Sequence, residues 1–323
     1  MALVPAQPGT VRRMRTQVLG QHTGGVWTRQ HAEDLLSPRT VGDQVTQGLW
    51  QVLLPGVYAD AGHEPGAAQW AWAAVLSSGD GAVPCARTAA RSWGLPLVDD
   101  RDPATQRFEE HSHDVAVTRN VGALRLGRET VHRRQLVLSP NDLTRHASGL
   151  CLTTPGRTLR DLAAVLRPEA LVCAMDNALR RGLVTRPELE GVVTAAKGSR
   201  HVNALRDAVA LVDPGAETPA ETLARLLLLP HIPDLRAQVP VREPSGELVA
   251  VLDLASDSLR IAIEVDGKRG HAGAQMVAKD RRRDRRTEGL GWITVRVTWY
   301  DLRRRPWEVV ARVLEAARRR QAA

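Results

Sequence analysis

The sequence predicts an α+β protein in three parts, and three observations carry that expectation. A helix-turn-helix followed by a two-strand hairpin fills the first sixty or so residues. Helical and strand-like stretches then mix without one period. After the turn Asp213-Pro214-Gly215, a helix, three strands, a charged helix, a strand and a last helix follow in one α/β grammar. The parts are bounded as 1–62, 63–213 and 214–323, the last forming a small mixed sheet flanked by helices. With 323 residues, 43% of them apolar, the chain can build two or three real cores and is neither disordered nor a disulfide scaffold.

Each element has a local reason. Val11, Met14 and Val18 are helically spaced ahead of Thr23-Gly24-Gly25. Thr28 can cap a helix running to Leu36, Ser37-Pro38 opens a second helix, and Gly48 ends it. Leu49 to Tyr58 alternates apolar residues around Pro55-Gly56, as the strands of a wing do. The resulting winged helix would present Arg39, Thr40, Asp43, Gln44 and Gln47 to base edges in a major groove. Arg39 is the one positive charge between Ser37 and Gly48, so docking on a protein partner is the competing use.

In the middle part, an Ala-rich segment with Trp70 and Trp72 precedes Cys85 to Trp93, strands over Asp114–Thr118 and Val131–Leu138, and helices over Arg157–Leu166, Pro168–Arg181 and Thr185–Ala196. His111, His113, His132 and His146 lack ligand spacing and read as solvated or core histidines. In the last part, helix Glu217–Leu229 leads to strands Ala237–Val241, Leu248–Leu254 and Ile261–Asp266. Helix Gln275–Leu290, strand Trp292–Thr298 and helix Trp307–Arg320 follow. Trp292, Trp299 and Trp307 are expected in the core.

Charge narrows the partner. The 44 Lys and Arg against 36 Asp and Glu give +8, but residues 267–323 alone carry 16 against 6, or +10, leaving −2 for the rest. Such asymmetry points to a polyanion, most simply nucleic acid, although a high-GC genome also enriches arginine. Cys85, Cys151 and Cys173 are too scattered for a zinc site or a disulfide framework, so a reducing cytoplasm is expected. Apolar runs such as Leu226 to Leu229 are far short of a membrane span, and the start lacks the pattern of a signal peptide.

Two neighbouring strands carry acids that an apolar strand has no structural use for: Asp253 in VAVLDL, and Glu264 and Asp266 in IAIEVDG. An unpaired buried carboxylate costs several kcal/mol on the order of magnitude, and a hard divalent cation such as Mg2+, or Mn2+, would offset it. Alternation puts Glu264 and Asp266 on one face with Val265 turned away. Gly267, Lys268, Arg269 and His271 follow at once, placing a cation and a base beside the acids, the toolkit of metal-assisted phosphodiester hydrolysis. The alternative for Asp253 and Asp266 is ordinary pairing with arginine. The helix KDRRRDRR likewise reads either as a solvated face of Asp-Arg pairs or as a phosphate contact through Arg282 and Arg286.

This run, from Glu221 through Asp253, Glu264-Val265-Asp266-Gly267 and His271 to KDRRRDRRTEGLGWITVRVTWYDL, resembles the PD-(D/E)XK nuclease superfamily, nearest its very-short-patch-repair endonuclease branch. The resemblance covers about 217–320 and implies a restriction-endonuclease-like fold. It also implies metal ligation by Asp253, Glu264 and the Val265 carbonyl, a supporting acid in Glu221 and a base in His271. Asp266 stands where the family has its lysine, so Lys268 or His271 would take over that work. TRQHAEDLL and GLWQVLLPGVYA are similar to the winged-helix domain of AbiEi-type antitoxins. The activity implied is a Mg2+-dependent DNA endonuclease in repair or phage defence, acting on double- or single-stranded DNA. A homodimer would supply two active sites, and a protein partner could dock through the winged helix. The rival is a non-catalytic, antitoxin-like DNA-binding transcriptional regulator.

Overall fold

The computed structural model describes residues 19–98, 111–119, 121–266 and 274–321, and its contacts divide them into two compact units. The first holds 19–95 and 111–165; the second holds 96–98 and 166–321. Both mix helices with sheets, so the chain is α+β. The helical spacing of Val11, Met14 and Val18 lies outside the described residues.

The first unit opens with β1 (Val26–Thr28), α1 (Arg29–Glu33), α2 (Pro38–Thr46), β2 (Trp50–Leu54) and β3 (Val57–Asp60). Both helices start where their caps require: the Thr28 hydroxyl accepts the His31 N–H at 3.1 Å and the Ser37 hydroxyl accepts the Thr40 N–H at 3.2 Å. Gly48 takes φ +67° just past α2, a conformation open to glycine and strained for other residues. β2 and β3 form the expected wing, and β1 adds a third antiparallel strand in the order β1-β3-β2. Trp27 and Trp50 meet edge to face, 5.0 Å between centroids, in a small core with Leu19, Ala32, Val41 and Tyr58.

The unit continues with α3 (Ala67–Leu76), β4 (Val83–Pro84), α4 (Ala86–Ser92), β5 (Ser112–Val117), β6 (Leu124–Leu126), β7 (Glu129–Gln135), β8 (Leu143–Arg145), β9 (Cys151–Thr153) and α5 (Pro155–Leu162). A second sheet runs β4-β5-β7-β6, with β5 and β7 parallel. His111 and His113 turn out to share Glu129, at 2.6 and 2.8 Å, with Trp70 stacked on His113. This is a structural clasp rather than a ligand set, and among the described residues no three His, Cys, Asp or Glu side chains are placed to hold a metal ion.

The second unit contains α6 (Pro168–Arg180), α7 (Arg186–Ala195), α8 (Val202–Ala210), α9 (Pro219–Leu228), β10 (Arg236–Arg242), β11 (Leu248–Ser256), β12 (Ile261–Asp266), α10 (Ala274–Gly289), β13 (Ile293–Thr298), α11 (Trp299–Arg304) and α12 (Pro306–Gln321). Its sheet, ordered β10-β11-β12-β13, is antiparallel up to β12 and parallel between β12 and β13, the mixed sheet the sequence predicts. One face buries Leu254, Ile261 and Ile263 under Leu223 and Leu228 of α9 and Val309 and Val313 of α12. The other buries Val239, Val241, Leu252 and Ala262 with Trp292. Asp176 on α6 ties the helices to this layer through Thr222 at 2.8 Å, Arg225 at 3.0 Å and the Asp213 N–H at 2.7 Å.

Candidate functional site

The acids come together at a break in strand alternation. Ala237 pairs with Leu254 and Val239 with Leu252, while Gln238 between them takes φ +53°. The two pairs pack on opposite faces of the sheet, so the alternation slips where Gln238 lies across from Asp253. β12 meets this point through Leu254 opposite Ile263, bringing Glu264 beside Asp253. The Val265 N–H donates to Asp253 Oδ2 at 2.8 Å, and the Val265 side chain packs in the core as alternation requires. Glu221 enters from the first turn of α9, accepting the Glu217 N–H and the Thr218 hydroxyl at 2.8 Å each, with the Gln238 amide 3.4 Å away.

Among the described residues, Arg283 and Arg296 supply the positive charge close to these acids. Arg283 on α10 donates to Glu264 at 2.9 Å, and Arg296, next to Glu264 across the parallel ladder, reaches Asp266 at 3.6 Å and Asp284 at 2.7 Å. Burial pushes all three of Asp253, Glu264 and Glu221 above the usual carboxylate range. Next in order, the Asp253 charge pushes Glu264 further up, while Arg283 pulls it back. The Val265 N–H is the main opposing influence on Asp253, with Arg283 behind it. The Asp253 charge raises both Glu264 and Glu221, and Glu217 and Asp266 in turn raise Asp253, a crowding of acids that a cation would relieve.

A hydrated Mg2+ fits that demand in chemical terms, since it is commonly held by one or two carboxylates and keeps several waters. Asp253 and Glu264 each commit one oxygen, to the Val265 N–H and to Arg283, and each has a second oxygen without a partner among the described residues. Arg283 is the group such an ion would displace, and sequence reasoning missed it, as it missed Arg296 and Gln238. Its signal was hidden in an arginine-rich helix where any of several residues could face the sheet. Lys268, Arg269 and His271 lie outside the described residues.

Several assigned contacts are corrected. Gln44 is buried at 8% exposure, so it cannot read bases, because it is the inward i+3 neighbour of Val41. The Thr40 hydroxyl lies 2.8 Å from that of Ser37, part of the helix cap. Arg39, Asp43 and Gln47 remain exposed, one turn apart. Arg286 is held by Glu243 at 2.7 Å and Glu247 at 2.8 Å, at the turn joining β10 and β11, which neutralises it as a phosphate contact; Arg282 stays exposed. Trp307, expected in the core, is 66% exposed.

Residues 82–211 match the AbiEi antitoxin C-terminal domain family. The match runs from β4 through α8, so it falls on the middle of the chain and not on the winged-helix segments where the AbiEi likeness was first noticed. Two uncharacterized proteins of Mycobacterium tuberculosis, from strains CDC 1551 / Oshkosh and ATCC 25618 / H37Rv, are each 32% identical over 167 residues. The aligned part is 51% of this chain and spans 61% of the length of those relatives. No helix among the described residues is long and apolar enough to cross a membrane.

Proposed function

We propose that this protein is an antitoxin-like DNA-binding regulator that reads DNA with its winged helix. The observation that carries the reading is the AbiEi antitoxin match at 82–211, directly behind a helix-turn-helix with a three-stranded wing. Arg39 and Gln47 on the exposed face of α2 are the base-reading candidates. From Leu19 to Gly62 the chain has Arg29 and Arg39 against Glu33, Asp34, Asp43 and Asp60, so phosphate attraction must come from elsewhere, and the arginine-rich C-terminal part supplies it. A protein partner on the winged helix is compatible with the same charge balance.

The test is binding of the full-length protein to labelled duplex DNA from upstream of its own gene, in Mg2+ and in EDTA. The expected result is equal affinity in both, intact DNA, and a loss of about 1–3 kcal/mol for Arg39→Ala. Unchanged affinity in Arg39→Ala together with Gln47→Ala would sink the winged-helix reading.

A second reading, a Mg2+-dependent endonuclease, is favoured by one observation: a cluster of buried and half-buried acids with one close guanidinium among the described residues. Asp253 and Glu264 would hold the metal, which would polarise a phosphate and lower the pKa of its bound water. Glu221 would orient Asp253's surroundings through Gln238, and Arg283 would swing to the phosphate. Cutting that requires Mg2+ and disappears in Asp253→Ala, with binding retained, would put this reading first.

A further inference from the structure

The chain has eight Trp, two Tyr and one Phe, and nearly all the described aromatic side chains are buried or half-buried. Trp27, Trp50, Tyr58 and Trp292 are core residues, and Trp70, Trp72, Trp93 and Trp299 pack partly against it. Two stand apart: Tyr300 at 48% and Trp307 at 66% exposure, on either side of the corner where α11 gives way to α12.

Local structure forces both outward. Thr298 and Asp301 cap α11 reciprocally, Asp301 accepting the Thr298 N–H at 3.0 Å and Thr298 accepting the Asp301 N–H at 3.1 Å. Leu302 of α11 and Val309 and Val313 of α12 anchor in the core, which leaves Tyr300 and Trp307 on the solvent side of their helices. Between them Arg305 holds its guanidinium over the Tyr300 ring, 5.9 Å from the centroid, and lies 3.5 Å from Glu308, an exposed pair that a phosphate would compete with, and Arg304 is exposed with no partner among the described residues. These groups sit in the stretch 267–323, whose balance of 16 basic to 6 acidic residues makes it the positive end of the chain.

We propose that this corner is a stacking platform for unpaired bases of single-stranded DNA, with Trp307 and Tyr300 as the stacking faces and Arg304 and Arg305 for the phosphates. An exposed ring gains most from another π-face, and in a duplex those faces are covered by neighbouring base pairs. A single strand offers them together with the negative charge that arginines attract. The inference rests on the DNA-binding reading above but not on the winged helix, and it supplies a contact that the acidic winged-helix segment lacks.

The experiment measures fluorescence anisotropy of a labelled oligothymidylate and of a duplex with the wild type, Trp307→Ala, Tyr300→Ala and Trp307→Phe, with melting curves to check folding. Trp307→Ala should weaken oligothymidylate binding roughly 5- to 150-fold and leave duplex binding within about twofold. Trp307→Phe should recover most of the loss. Wild-type indole fluorescence should fall on adding the oligothymidylate, and fall less in Trp307→Phe. Unchanged oligothymidylate binding in Trp307→Ala overturns the platform, and so does an equal loss for single strand and duplex. A wild type that binds duplex but not single strand also overturns it while leaving the regulator reading intact; a wild type that binds neither removes both.

Discussion

On β5, Asp114 is completely buried between Arg87, 3.1 Å away, and Arg134, 2.6 Å away. On β11 and β12, Asp253 and Glu264 share one close guanidinium, Arg283 at 2.9 Å from Glu264, with Glu221 adding another acid nearby. Both are strand carboxylates. The first has two cations for one acid and reads as scaffold. Among the described residues the second has fewer close cations than acids, and burial without compensation is what marks a place where something else binds.

The largest test of that contrast is a pair of substitutions. Asp114→Ala strips Arg87 and Arg134 of their shared acid and should cost about 3–5 kcal/mol in urea unfolding. Asp253→Asn removes a charge that is poorly compensated and should change stability by less than about 1 kcal/mol, or raise it. Equal losses at the two positions would break the comparison.

A deficit should act the same way wherever it occurs, and the first unit contains one. Arg157 is shared between Asp142 at 3.0 Å and Asp161 at 2.9 Å, and Asp161 is pushed up to about 6, by burial foremost, with its Oδ2 buried and unpaired. Because the folded value lies above the unfolded one, the native state binds more protons between about pH 4 and 6. Stability from this group therefore falls as pH rises through that window and stays low above it. Asp161→Asn should flatten that slope and stabilise the protein at pH 7.5 by roughly 2 kcal/mol, since Arg157 keeps Asp142. A slope unchanged from wild type in pH-dependent melts would contradict the assignment.

In the second unit, divalent cations sharpen the comparison further. Mg2+ or Mn2+ should raise the melting temperature of the wild type by an amount equivalent to about 1.4 kcal/mol at ten times Kd, and not that of Asp253→Asn. Arg283→Gln should increase the shift, because the built-in counter-charge is gone. No metal response in either protein would leave the cluster a binding surface and remove the nuclease reading.

The smallest effect separates two arginines on one helix. Arg286→Ala loses a surface ion pair and should leave both the melting temperature and the salt dependence of DNA binding close to wild type. Arg282→Ala should reduce the salt slope by about one if that face meets phosphates. Equal salt slopes for the two variants would show that pairing with Glu243 and Glu247 does not matter.

Much of the fold could be read because its causes are local. Thr28 and Ser37 cap the helices they were expected to open, and Gly48 and Gly56 turn the chain with positive φ where the pattern required a turn. β1 escaped notice because three residues carry no period and its pairing partner β3 lies thirty residues on. α8 and α11 have no counterpart among the expected elements, although Thr298, where the expected strand ends, forms a capping box with Asp301. The carboxylates on β11 and β12 stood out because charged residues are foreign to an apolar strand, whereas nothing near Glu264 in sequence announces Arg283, nineteen residues away.

By itself the sequence determined several helix starts and turns, which segment carries the positive charge, and that acids sit in apolar strands. These follow from short-range sterics, capping and composition, which act within a few residues. Only the tertiary structure decided that Gln44 faces inward, that Arg286 is neutralised while Arg283 meets Glu264, that strand alternation slips at Asp253, and that Trp307 faces water. Those outcomes depend on which distant groups fill the space around a side chain, and close packing settles that only when the whole unit is assembled.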